Sequence, residues 1–141
     1  MKKVILISLL ALLHGAFAMA QAGKEPFKGT FLNKEYQVYI TINFQEQNVK
    51  VPGQDILGEL PGYFGDQKDS RKWLITSAKV KGKVAYLEIV NDYGSEDLEA
   101  ELTLEKDGTY TLEQKKGSNI KIARDRKWVK IPGKLTFTPW K

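Results

Sequence analysis

The chain has no cysteine, and its single histidine is His14. A cysteine nucleophile, a Ser-His-Asp triad downstream of that point and a Cys/His zinc site are therefore excluded. No disulfide can staple the fold, so stability has to come from a packed core. Helical periodicity is nearly absent. Charge of one sign is only slightly in excess: 22 Lys and Arg face 17 Asp and Glu, giving +5 over 141 residues. That balance is mildly basic and does not describe a nucleic-acid-binding polycation.

What is present begins with an export pattern. Lys2 and Lys3 precede an apolar run from Val4 to Leu13, broken only by Ser8. Ala18-Met19-Ala20 and Ala20-Gln21-Ala22 are small-x-small cleavage sites. Together these read as a secretory signal over residues 1–22. A retained anchor is the alternative, but a span needs about 20 apolar residues, and His14 and Gly15 interrupt this one. Without a cysteine there is no lipoprotein acylation. The expected product is a periplasmic or secreted domain, residues 23–141, with no histidine and no stable membrane insertion. That length supports one core without metal or disulfide.

Alternation dominates the rest, and alternation marks half-buried strands. Tyr36, Val38, Ile40, Ile42 and Phe44 share one face, with Gln37, Tyr39, Thr41, Asn43 and Gln45 on the other. Leu98, Ala100, Leu102 and Leu104 repeat the pattern, as do Tyr110 and Leu112. Further strands are expected over 29–32, 49–51, 73–80, 84–90, 120–123, 127–131 and 135–138. Lys106-Asp107-Gly108 reads as a tight hairpin turn, and Pro52-Gly53 and Pro132-Gly133 suit type II turns. The spacing predicts an all-β antiparallel meander of about eight to ten strands, a barrel or, alternatively, a β-sandwich. Gln54–Lys72 breaks the rhythm. Three glycines and a proline make it read as one long connection, either a cap over a barrel end or a lid over a ligand.

Few constellations carry chemistry. Asp92, Glu96 and Asp97 sit in a glycine-containing stretch that fits a structural turn better than a calcium loop, since the EF-hand spacing is missing. Seventeen acids could supply a glycosidase pair, but most lie on alternating solvent faces. Two echoes, Arg71-Lys72-Trp73 and Arg126-Lys127-Trp128, place cations beside large aromatics. Such a Trp is ordinarily core, yet it can also stack on a sugar or carry a cation on its ring.

Pro26-Phe27-Lys28-Gly29-Thr30-Phe31 resembles the opening of the calycin barrels, the lipocalin and fatty-acid-binding group, with Phe31 where that family has Trp. Asn91-Asp92-Tyr93 is similar to the family's Thr-Asp-Tyr loop. The resemblance implies a lipocalin-like barrel whose first-strand aromatic closes the base, with a late Arg, Arg124 or Arg126, packed on it. The whole chain also resembles small exported Bacteroidetes-type β-domains of unknown function, which implies no activity.

An eight-stranded barrel is just wide enough to be filled or to hold one small ligand. The bulky inward residues favour filling, which moves a site to the open end under Gln54–Lys72. Tyr63, Phe64, Arg71 and Trp73 are the expected ligand contacts there, with Tyr93 and Trp128 as additions. The reading is a non-enzymatic exported binding module for a small amphipathic or glycan-type ligand. A protein-interaction module, such as an envelope accessory subunit or inhibitor, and a carboxylate-based hydrolase are the alternatives. No cofactor, metal or nucleic-acid partner is expected. On the binding reading, Trp73→Ala is expected to lose ligand with little loss of fold.

Overall fold

The computed structural model describes residues 25–140. The export signal expected over residues 1–22 lies outside them. Among the described residues all regular structure is β. The strands are β1 (Lys28–Asn33), β2 (Val38–Asn43), β3 (Gly62–Asp66), β4 (Trp73–Lys81), β5 (Val84–Asn91), β6 (Asp97–Leu104), β7 (Tyr110–Gly117), β8 (Lys121–Arg124), β9 (Lys127–Lys130) and β10 (Lys134–Pro139). Eight of them close into an antiparallel barrel in the order β1-β10-β7-β6-β5-β4-β3-β2. Consecutive strands are neighbours except where β8–β9, a separate two-stranded ribbon, is inserted between β7 and β10. The sandwich alternative is thereby set aside. Closure leaves the barrel without exposed edges.

Alternation explains the core. Val38, Ile40 and Ile42 of β2, Leu87 and Ile89 of β5, Leu98 and Leu102 of β6, and Phe137 of β10 all point inward and are buried. The interior is filled with side chains. Where the period slips, a bulge restores it. The β4–β5 register shifts between Ile75 and Ser77, so Thr76 is the extra residue and Ile75 and Ala78 both stay inside. At the base, Phe31 packs on Tyr110 with ring centres 4.5 Å apart, and Phe27 stacks on Phe44 at 5.6 Å. The buried Tyr110 hydroxyl accepts the Phe27 N–H at 2.7 Å. This bond helps hold Phe27, whose φ of 57° is unusual for a non-glycine residue. An aromatic does close the base, but its partner is another aromatic and not a late arginine. Arg124 lies at the opposite end, bound to Asp66.

The Gln54–Lys72 segment is neither one connection nor a cap over an end. Its middle is β3, paired with β2 from Gly62 to Asp66. The chain before it folds over the outer barrel wall, where Val51, Leu60, Tyr63 and Leu74 form a second buried cluster with Tyr39 and Val49 packed against it. Its two glycines are there for lack of room. A Cβ on Gly65 would collide with the Tyr39 ring, and one on Gly62 with the Thr41 carbonyl. Only the end of β3 and residues 67–72 border the open end.

Candidate functional site

Four segments meet at the barrel mouth: the end of β3, the 67–72 loop, the 91–96 turn and the β8–β9 ribbon. Each is fixed in place by hydrogen bonds. Asn91 is buried, and its Oδ1 accepts the N–H groups of Ser95 and Glu96 at 2.9 and 3.2 Å. That bonding pattern is a structural turn. Among the described residues no group of three or more acidic or histidine side chains is placed to hold a metal ion. The 67–72 loop is tied to this turn reciprocally. Lys72 N–H donates to Asp92 Oδ2 at 3.0 Å, and Asp92 N–H donates to the Lys72 carbonyl at 3.1 Å.

The ribbon is docked over the mouth from three directions. Ile120, Ile122 and Ile131 are buried in the barrel core. Trp73 Nε1 donates to the Lys121 carbonyl at 3.3 Å. Arg124 grips Asp66 with two bonds of 2.7 and 2.8 Å and also donates to the Tyr36 carbonyl at 2.7 Å. The Asp66 side chain is only 4% exposed, so this is a buried, bidentate, charge-assisted contact. The Asp66 bond holds the Arg124 guanidinium above its ordinary pKa. Lys121 adds an ion pair to Glu96 at 2.7 Å. A lone two-stranded hairpin is marginal in water, and these contacts supply what it lacks.

Between these segments lies a cleft of about 240 Å³, small beside ordinary ligand pockets and suited to one ring-sized group. Phe64, Trp73 and Ile122 form its buried apolar part, while Arg71, Tyr93 and Trp128 stand at its rim. Trp128 is 60% exposed and Tyr93 76%. Arg71 crosses between elements: its Nη1 meets Asp69 at 3.2 Å and its guanidinium lies 5.0 Å from the centre of the Trp128 ring. The Tyr93 hydroxyl, and then Asp69, hold Arg71 above its ordinary pKa. The lining carboxylates are engaged: Asp66 by Arg124, Asp69 by Arg71, Asp92 by the Lys72 amide and Glu96 by Lys121.

Five of the six residues singled out in the sequence, Phe64, Arg71, Trp73, Tyr93 and Trp128, come together here. Tyr63 does not. It points out of the barrel and packs edge-on against Tyr39, ring centres 5.9 Å apart. Trp73 is also not the surface residue that a harmless substitution requires. It is 6% exposed and belongs to the core as much as to the cleft. Sequence reasoning missed Lys121, Ile122 and Ala123, because their strand reads as one more barrel strand. Asp66 was hidden in the same way by the glycines around it.

A larger groove of about 900 Å³ opens at the base beside Pro26, Phe31, Leu104 and Trp140. Comparison with known proteins finds no matching family model, no similar curated protein and no similar solved structure.

Proposed function

We propose that the protein is an exported, non-enzymatic binding module of calycin-like kind, which takes a small amphipathic or glycan-type ligand at the barrel mouth. One observation carries the reading: two large aromatics, Trp128 and Tyr93, stand exposed at the rim of a cleft with a buried apolar floor. An isolated exposed aromatic needs no explanation. Two of them flanking a guanidinium, one on the pinned 91–96 turn and one on the docked ribbon, form a prepared stacking surface. The filled interior supports a site at the mouth over one inside. The engagement of Asp66, Asp69, Asp92 and Glu96 supports binding over acid–base chemistry.

A protein-interaction module has one observation in its favour. Ile56 is 97% exposed and Leu57 50%, at the tip of the loop over the outer wall. Two side chains are less than the contiguous patch of several hundred Å² that marks an interface.

The test is a native mass spectrum of the protein isolated from its own host without denaturation, beside the Trp128→Ala variant. Extra mass on the natural protein, lost on denaturation and absent from the variant, supports the reading. Identical extra mass on both proteins would place the ligand elsewhere.

A further inference from the structure

The positive charge is not spread along the chain. Between Lys115 and Lys134 there are eight Lys or Arg and one acid, Asp125. That stretch alone exceeds the net charge of +5, so the rest is slightly acidic. The β8–β9 ribbon lies within it, and its register sets Lys121 opposite Lys130 and Arg124 opposite Lys127. Like charges directly opposite one another destabilise a ribbon. The barrel neutralises one member of each pair, through Glu96 and Asp66. Lys127 and Lys130 form no ion pair among the described residues. Both are exposed; Lys130 lies on the same ribbon face as the exposed Trp128, and Lys127 on the other. At the ribbon tip Asp125 and Arg126 have φ of 51° and 65°. A tight turn of this kind favours Asn-Gly, so Arg126 occupies a conformation that glycine adopts more easily. Packing accounts for neither the like-charge pairs nor the strained arginine, because Arg126, Lys127 and Lys130 are all at the surface. Strain of this sort points to a use.

We propose that the ribbon is the electrostatic half of the mouth site and that the ligand is an acidic glycan. This rests on the binding reading above and narrows it. Sugar rings stack on Trp128 and Tyr93, and carboxylate or sulfate groups meet Lys130, which shares the Trp128 face of the ribbon, and Arg126 at its tip. Asp69, Asp92 and Glu96 at the cleft keep lone pairs that can accept sugar hydroxyls. Those carboxylates favour a hydroxyl-rich ligand with spaced charges over nucleic acid, whose phosphates recur at every residue and would be repelled. A membrane surface would call for apolar residues at the ribbon tip, where Asp125 and Arg126 stand.

The test is calorimetric titration of the purified protein with uronate- and sulfate-bearing hexasaccharides, their neutral counterparts and single-stranded DNA of matched charge. The acidic sugars are expected to bind at least tenfold tighter than the neutral ones, with the advantage shrinking as salt is raised. K130E and R126G should each weaken the acidic sugars at least threefold and leave neutral-sugar affinity unchanged. Their Tm should hold or rise, because K130E turns a like-charge pair into an opposite one and R126G relieves the turn. A loss of Tm in both would overturn the strain argument. Equal affinity for acidic and neutral sugars overturns the charge assignment and leaves the cleft reading standing. Tighter binding of DNA overturns the glycan class. No binding of any sugar overturns the acidic-glycan assignment and leaves an amphipathic ligand at the mouth to the native mass spectrum.

Discussion

Arg124→Ala is the substitution whose consequence the structure specifies most fully. It removes two charge-assisted bonds to Asp66 and the donor to the Tyr36 carbonyl. Asp66 stays behind with its side chain 4% exposed, keeping only the Lys68 amide at 3.0 Å. At an effective dielectric near 20, two charges 4 Å apart attract by about 4 kcal/mol. Removing one partner of a buried pair costs about 3–5 kcal/mol, mostly through the stranded charge. Arg124 is itself 24% exposed, and water can reach the vacated space, so a loss of about 2–4 kcal/mol is expected. For a domain of this size 3 kcal/mol corresponds to a Tm lower by roughly 10–15 °C. Equilibrium urea unfolding of the natural protein, Arg124→Ala, Asp66→Asn and the double variant measures it. The double variant should recover part of the loss, since it no longer buries an unpaired charge; the two single losses should therefore not add. A loss below about 0.5 kcal/mol for Arg124→Ala, as for an exposed ion pair, would refute the claim that this contact docks the ribbon.

Three further outcomes follow from the same contacts. Tyr110→Phe strands the buried Phe27 N–H at the base and should cost about 1–3 kcal/mol in urea unfolding, whereas a neutral result would mean that Phe27 does not depend on that bond. Burial, and then the hydrogen bond with Tyr63, push the Tyr39 hydroxyl from 10.0 up to about 12; its neutral form is thus favoured by folding, so stability present below pH 10 is lost as pH rises toward 12. Tyr39→Phe should flatten the Tm decline over that interval, and an unchanged decline would count against the shift. Trp73→Ala empties core space and should cost about 3–5 kcal/mol, while Trp128→Ala should stay within about 0.5 kcal/mol; the reverse order would exchange their roles.

Period-2 alternation alone makes β2, β5, β6 and β7 legible, because each buries one face and wets the other. The strand it fails to show is β3. Gly62 and Gly65 read as loop chemistry, and their reason is tertiary: the ring of Tyr39 and the backbone of β2 occupy the space where Cβ atoms would stand. The ribbon is legible as two strands but not as an insertion, since nothing in Lys121–Arg124 distinguishes pairing with β9 from pairing with the barrel. Aromatics next to cations led to Arg71, Trp73 and Trp128, and the fold brings them to one cleft. Tyr63 is expected there with Phe64 because Gln54–Lys72 reads as a loop at the open end; its middle is a strand, Phe64 points inward, and a strand sends its neighbour to the opposite face. Asp66 and Lys121, which fix the frame, have partners 58 and 25 residues away, a distance no local pattern spans.

The three tryptophans provide the most direct test. Trp73 and Trp128 line the mouth, and Trp140 packs on Tyr39 at the outer wall. Each gives one indole N–H resonance. On titration with acidic hexasaccharides the Trp128 signal should shift most, Trp73 less, and Trp140 not at all. A shift confined to Trp140, or a bound state in which Trp128 is unmoved, would contradict a ligand site at the barrel mouth.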